Sequence, residues 1–275
     1  MSAQSKTRRI TAPEIRARKG GEPIVCLTAY DAPMARILDP HCDLLLVGDS
    51  VGMVVHGLDS TIGVTLDMMI LHGQAVMRGA ERALVTVDMP FGSYEKSPGQ
   101  AFENAARIMS ETGCQAIKIE SGTYAAKTID FMAQRSIPVM GHIGLRPQAA
   151  LADGGYKAKG RTQAERQRVI DEAVATADAG AFAIVVEGVA EDLALEITQK
   201  VSVPTIGIGA SSACDGQILV TQDMLGVFEW TPKFVKRYDN QAERTAAAVA
   251  RYAEEVRERT FPATAQVYTM QCKDG

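Results

Sequence analysis

GCQAIKIE at residues 113–120 and GAFAIVVE at residues 180–187 follow one plan: a glycine able to stop a helix, an apolar run rich in Ile and Val, and a terminal glutamate. After each run comes a helical stretch and then a strand with proline near its start, IPVMGH at 137–142 (Pro138) and VPTIGI at 203–208 (Pro204). Uninterrupted apolar strands alternating with helices indicate a parallel sheet whose two faces are both covered.

Strands of the same kind are expected at 23–28 (PIVCLT), 44–48 (LLLVG), 83–88 (ALVTVD) and 217–221 (QILVT), making eight with the four above. The helix ends between them are marked. Ser97 followed by Pro98 opens a helix that Gly113 stops, and Thr162 with Glu165 has the spacing of a capping box for one that ends at Gly180. Eight strand–helix units need roughly 250 residues, and the chain has 275. The expected fold is therefore α/β, a (β/α)8 TIM barrel in a single domain over 1–275, with a short N-terminal helix at about 10–19 and a C-terminal helix at about 241–259. A doubly wound open sheet is the alternative. It commonly carries a glycine fingerprint after its first strand, and LTAYDAPMA (27–35) contains no glycine.

Composition narrows the function. With 46% hydrophobic and 23% charged residues the chain can fill a sizeable core, and a formal net charge of −4 with interspersed signs gives no footprint for nucleic acid. Cys26, Cys42, Cys114, Cys214 and Cys272 are odd in number and scattered, which fits reduced thiols and a cytoplasmic location. No apolar run reaches the ~18 residues of a membrane helix, so no membrane association is expected. The Arg-containing N-terminus lacks an apolar segment, and residues 10–19 read as a helix leading into the first strand rather than as a presequence.

In a barrel, polar residues at the carboxyl ends of the strands are candidates for chemistry. Here those ends are acidic: LLLVGDS delivers Asp49 and Ser50, ALVTVDMPF delivers Asp88, AIKIES delivers Lys118 and Glu120, and AIVVEG delivers Glu187. Lys118 and Glu120 lie two apart, so both face the barrel interior or its mouth. Buried charges need partners, supplied either by a structural Lys–carboxylate network or by a bound metal with an anionic ligand. Asp49, Asp88 and Glu120 offer hard oxygen donors with no Cys or His pattern around them, which favours Mg2+ over zinc. His142 on the fifth strand and Tyr30 in LTAYD are site-lining candidates, His142 reading equally as a packed, hydrogen-bonded residue. The glycine-rich IGIGASSACDG (206–216) reads as a tight turn or an anion loop, and the segment 153–161 as a loop over the site.

LTAYD (27–31), LLVGDSVGMVVHGLDST (45–61), VDMPFGSY (87–94), AFENAARIM (101–109), IKIESG (117–122), GHIGLRPQ (141–148), GGYKAKGR (154–161) and the IGIGA and CDGQILV runs of 206–220 resemble the ketopantoate hydroxymethyltransferase family, in that family's order. The family sits in the phosphoenolpyruvate mutase/isocitrate lyase-like barrel superfamily. Two departures, Ser121 and Ser211, stand where the family commonly has glycine. The resemblance implies transfer of a one-carbon unit from 5,10-methylenetetrahydrofolate to 3-methyl-2-oxobutanoate, giving 2-dehydropantoate for pantothenate biosynthesis. It also implies Mg2+ at Asp49, Asp88 and Glu120, oxo-acid contacts from Asp49, Ser50, Asp88 and Lys118, Glu187 as general base, and a homo-oligomer, a decamer in the usual case. The rival is a Mg-dependent 2-oxo acid C–C lyase or mutase of the same superfamily. Those lyases carry a KKCGH run, whereas here Gly141-His142 follows Val139-Met140.

Overall fold

The structure, a computed structural model, describes residues 8–268 and divides into two compact units, one running to Thr221 and the other from Gln222. The first unit contains eight strands: β1 (Ile24–Thr28), β2 (Leu44–Val47), β3 (Leu84–Asp88), β4 (Ala116–Glu120), β5 (Val139–Gly144), β6 (Ala183–Glu187), β7 (Thr205–Ile208) and β8 (Gly216–Leu219). They pair in parallel in chain order and close on themselves, β8 returning to β1, as the (β/α)8 reading expects.

The pleat separates two sets of side chains. Leu44, Leu46, Leu84, Ala116, Met140, Ala183, Val185 and Ile206 fill the interior, while Leu45, Val47, Val85, Val87, Ile117 and Ile119 pack outward under the helices. The N-terminal helix α1 (Ala12–Arg16), shorter than expected, adds Ala12 and Ile15 to the interior set, closing the end of the barrel away from the acidic strand ends. Its ends explain its length: Thr11 donates both its backbone N (2.9 Å) and its hydroxyl (2.7 Å) to Glu14 Oε2, and Gly20 lies in the left-handed region four residues after Arg16.

The outer layer comprises α2 (Ala32–Leu38), α3 (Val51–Val54), α4 (Leu66–Gly79), α5 (Pro98–Thr112), α6 (Ala125–Ala133), α7 (Ala150–Asp153), α8 (Gln163–Asp178) and α9 (Glu191–Lys200). Helix α5 starts and stops as its sequence dictates: the Ser97 side chain accepts from Gln100 N, Pro98 is the first helical residue, and Gly113 has φ 77°. In α8 the Thr162 hydroxyl accepts from Glu165 N, but the Glu165 carboxylate reaches back to Arg161 N, one residue beyond a reciprocal box.

One expected unit is missing its helix. Residues 209–215 join β7 to β8 directly. Seven extended residues span at most about 24 Å, enough to return along a four-residue strand of about 13 Å. Asp215 anchors this return, accepting from Gly20 N (2.7 Å), Thr205 N (2.8 Å) and Lys19 Nζ (2.9 Å).

The second unit begins within the short helix α10 (Thr221–Met224) and contains the C-terminal helix α11 (Gln241–Glu258), close to its expected bounds. Arg237 ties its irregular part together by donating to Phe228 O and Glu229 O. Among the described residues no helix is long and apolar enough to cross a membrane. Cys26, Cys42, Cys114 and Cys214 are free and buried; Cys272 lies outside the described residues.

Candidate active site

The alternation that fills the barrel interior also sets the site. Above Leu84 and Thr86 on β3 comes Asp88; above Ala116 on β4 come Lys118 and Glu120; above Met140 on β5 comes His142; and above Val185 on β6 comes Glu187. Register aligns them across strands, Asp88 opposite Lys118, Glu120 opposite His142 and Gly144 opposite Glu187. Asp49 and Ser50 follow β2 at the same end.

Contacts join these residues into one network. Lys118 Nζ lies 2.8 Å from Asp88 Oδ1, an ion pair rather than a well-directed hydrogen bond, since that oxygen has no hydrogen-bond partner. The other oxygen, Asp88 Oδ2, accepts from Asp49 N at 3.0 Å. Lys118 Nζ also stands 3.5 Å from His142 Nδ1, and His142 Nε2 is 3.1 Å from Glu187 Oε2. Tyr30 is fully buried with its hydroxyl 2.8 Å from Ser50 Oγ, so it supports Ser50 from behind. Every residue singled out from the sequence therefore belongs to this assembly.

Two further members were not singled out. Gln148, in the turn Pro147–Ala149 after β5, donates its side-chain amide to Asp49 Oδ2 (2.8 Å) and Met89 O (3.0 Å), and its backbone N to Glu120 Oε1 (3.0 Å). Tyr94 in turn donates its hydroxyl to Gln148 Oε1 at 2.6 Å. Gln148 ends the GHIGLRPQ run, but nothing in a lone glutamine identifies it as a partner of carboxylates 99 and 28 residues away.

The local charge is unbalanced: Asp49, Asp88, Glu120 and Glu187 surround a single ammonium, Lys118. Burial, with Asp88 beside it, pushes the Asp49 carboxyl up to about 7. Burial and the Asp49 charge raise Glu120 in the same way. For Lys118 burial acts downward, but the Asp88 and Asp49 carboxylates together outweigh it and keep the ammonium firmly protonated. Burial and the Lys118 charge lower His142, leaving a neutral imidazole. Its Nδ1 faces the ammonium and must accept, so the proton sits on Nε2, toward Glu187.

This donor set suits a hard divalent cation in atom type and in charge. Among the described residues, no three His, Cys, Asp or Glu side chains converge as a ready-made cage. Asp49, Asp88 and Glu120 are linked instead through Gln148, a backbone amide and Lys118. Such an open arrangement fits magnesium, which takes one or two carboxylates and completes its shell with water and substrate oxygens.

The flanking loops divide. In 206–216 the hydrogen bonds hold a turn, Ser211 Oγ accepting from Ala213 N and Ser211 O from Gln217 Nε2, while Asp215 ties the segment to Lys19 and Gly20. Ser121 occupies the other departure from the family pattern, its Oγ accepting from His142 N at 3.3 Å and its N donating to His142 O at 2.6 Å. In 154–161 Lys159 pairs with Asp153 (2.8 Å), and Tyr156 reaches Met53 Sδ (3.8 Å). Burial, then the charges of Asp49, Glu120 and Glu187, raises the Tyr156 phenol.

A closed parallel barrel with buried carboxylates gathered around one lysine at the carboxyl ends of its strands defines a (β/α)8-barrel enzyme. Solved structures agree on the fold. Phosphonopyruvate hydrolase in complex with oxalate and Mg++ superposes with a TM-score of 0.58 at 14% identity, covering 94% of this chain and 92% of that one. 2,3-Dimethylmalate lyase, a PEP mutase/isocitrate lyase superfamily member, gives 0.55 at 15% identity over 96% and 100%. Residues 9–264 match the ketopantoate hydroxymethyltransferase family, and the chain belongs to it. Among its relatives, the 3-methyl-2-oxobutanoate hydroxymethyltransferase of Maricaulis maris (strain MCS10) is 84% identical and that of Bartonella quintana (strain Toulouse) 60%, each alignment covering 100% of both chains.

Proposed function

We propose that this enzyme transfers a hydroxymethyl group from 5,10-methylenetetrahydrofolate to 3-methyl-2-oxobutanoate, forming 2-dehydropantoate on the route to pantothenate, with magnesium as its metal. The observation that carries the reading is the cluster of buried carboxylates around Lys118 at the mouth of a barrel belonging to this family. Asp49, Asp88 and Glu120 would hold the ion, and when bound it supplies Lewis-acid polarisation of the 2-oxo group.

The remaining chemistry follows from the chain's own side chains. A C–H beside a ketone is a very weak acid, so removing the C3 proton requires stabilisation of the charge that develops on the substrate oxygen. Lys118, kept cationic by Asp88 and shielded from bulk water, is preorganised for this. Glu187 takes the proton, its carboxylate standing 3.1 Å from the neutral His142 ring. C3 then bonds to the one-carbon unit, whose two C–N bonds to the folate break; water supplies the hydroxyl, and the two nitrogens each regain a proton, one from that water and one matching the C3 proton that Glu187 gives up.

Deuterium exchange at C3 of 3-methyl-2-oxobutanoate, followed by NMR with and without magnesium and then with methylenetetrahydrofolate, tests the proposal. Magnesium-dependent exchange followed by hydroxymethylated product is expected. Folded protein giving no exchange with metal present would refute it. The homo-oligomer and the cytoplasmic location belong to the same reading; light scattering of the purified protein tests the assembly.

A further inference from the structure

Among the described residues Gln148 is the one whose hydrogen bonds reach two of the acidic side chains at once, and it does so from a turn that neither β2 nor β4 contributes. Its side-chain donors are fully used. Both amide hydrogens are committed, to Asp49 Oδ2 and Met89 O, and Oε1 accepts from Tyr94. The Tyr94 hydroxyl sets which way the amide points. Rotating it by half a turn would put its oxygen against the Asp49 carboxylate and the Met89 carbonyl, replacing two attractions with two repulsions. Tyr94 is itself buried, at 1% exposure, and accepts from Glu120 N at 3.3 Å, which ties it to the strand that carries Glu120.

The consequence concerns which oxygens stay available. Gln148 occupies Asp49 Oδ2 and Glu120 Oε1, while among the described residues no hydrogen bond falls on Asp49 Oδ1 or Glu120 Oε2. One oxygen on each carboxylate is fixed from behind and the other is left for a ligand. Burying these like charges together is unfavourable, and without the amide they would rotate or separate to relieve repulsion.

We infer that Gln148, oriented by Tyr94, is a positioning residue that aims Asp49 and Glu120 at the magnesium and oxo acid. This rests on the proposed function, because it assigns the residue to that site's metal. It acts through the two carboxylates it holds, so its effect falls on ion affinity.

Gln148→Leu and Tyr94→Phe test it by calorimetric titration of magnesium chloride into chelator-treated protein, with and without saturating 3-methyl-2-oxobutanoate, beside thermal melts. Gln148→Leu is expected to weaken magnesium binding about tenfold or more, the scale seen when a partner that orients a metal ligand is removed. Tyr94→Phe, which frees the amide to turn, is expected to weaken it by a smaller factor, of roughly three to ten. In both, the KM for the oxo acid rises more than kcat falls. A merely structural role would lower the melting temperature and leave the affinity unchanged, so folded variants with wild-type affinity overturn the inference. Should Gln148→Leu fail to fold, Tyr94→Phe alone decides it. Wild-type protein that binds no magnesium would instead refute the metal assignment, and the inference with it.

Discussion

Asp88 and Lys118 stand opposite each other in the β3–β4 register, and Nζ lies 2.8 Å from Oδ1 with both side chains buried in the barrel mouth. Lys118 is the only ammonium contacting the acidic cluster among the described residues. Lys118→Met keeps most of its length and removes its charge. Turnover should fall by roughly 100-fold or more through lost charge stabilisation. Breaking a buried pair should also lower stability by about 3–5 kcal/mol in the absence of magnesium. Steady-state kinetics and denaturant melts of the same preparation check both, and near-normal turnover would remove Lys118 from the reaction.

Asp49 gives a pH dependence with a definite sign. Its ordinary pKa is 3.8 and burial beside Asp88 takes it to about 7, so between these values the folded state binds more protons than the unfolded one. Stability of chelator-treated protein should therefore fall as pH rises from about 4 to 7, the charged side chain opposing folding by at most ~4 kcal/mol above that range. Asp49→Asn should flatten this slope and raise the melting temperature at pH 8, while abolishing stabilisation by added magnesium. An unchanged slope would show that Asp49 is not the group responsible.

Glu187 can be separated from binding. Replacing it with glutamine keeps its size and an oxygen near His142 Nε2, which lies 3.1 Å from the carboxylate in the wild type, but removes the base. The variant should bind 3-methyl-2-oxobutanoate with an affinity within a few-fold of wild type and lose C3 exchange. Exchange at the wild-type rate would exclude Glu187 as the base.

Gly144 tests how backbone geometry sets the position of Glu187. It ends β5 at φ 89°, in register with Glu187, and a Cβ there would collide with the Glu187 carbonyl oxygen. Gly144→Ala should cost about 1–3 kcal/mol of stability from the left-handed backbone. If the collision also displaces Glu187, exchange should fall at least tenfold with oxo-acid affinity nearly preserved. Equal losses in exchange and affinity would point to a general disruption of the mouth.

The local and periodic features were legible in the sequence. Ser97, Pro98 and Gly113 bounded α5 because capping and left-handed termination depend on residues within one turn. The period of two placed Lys118 and Glu120 on the inward face, and the barrel rule then gathered Asp49, Asp88, His142 and Glu187 beside them. The run 206–216 could be read as a tight turn or an anion loop, but what fixes the β7–β8 return was not legible, because its anchors, Lys19 and Gly20, come from the opposite end of the chain.

The sequence by itself determined the order of elements, the barrel and which charged side chains meet at its mouth, since each of these follows from short-range pattern repeated along the chain. Only the tertiary structure decided that Gln148 joins Asp49 to Glu120, that Tyr94 orients its amide, and that burial drives both the Asp49 and the Glu120 carboxyls above their ordinary range. Hydrogen-bond partners and desolvation depend on distances between residues remote in the chain, and those distances exist only once the barrel has closed.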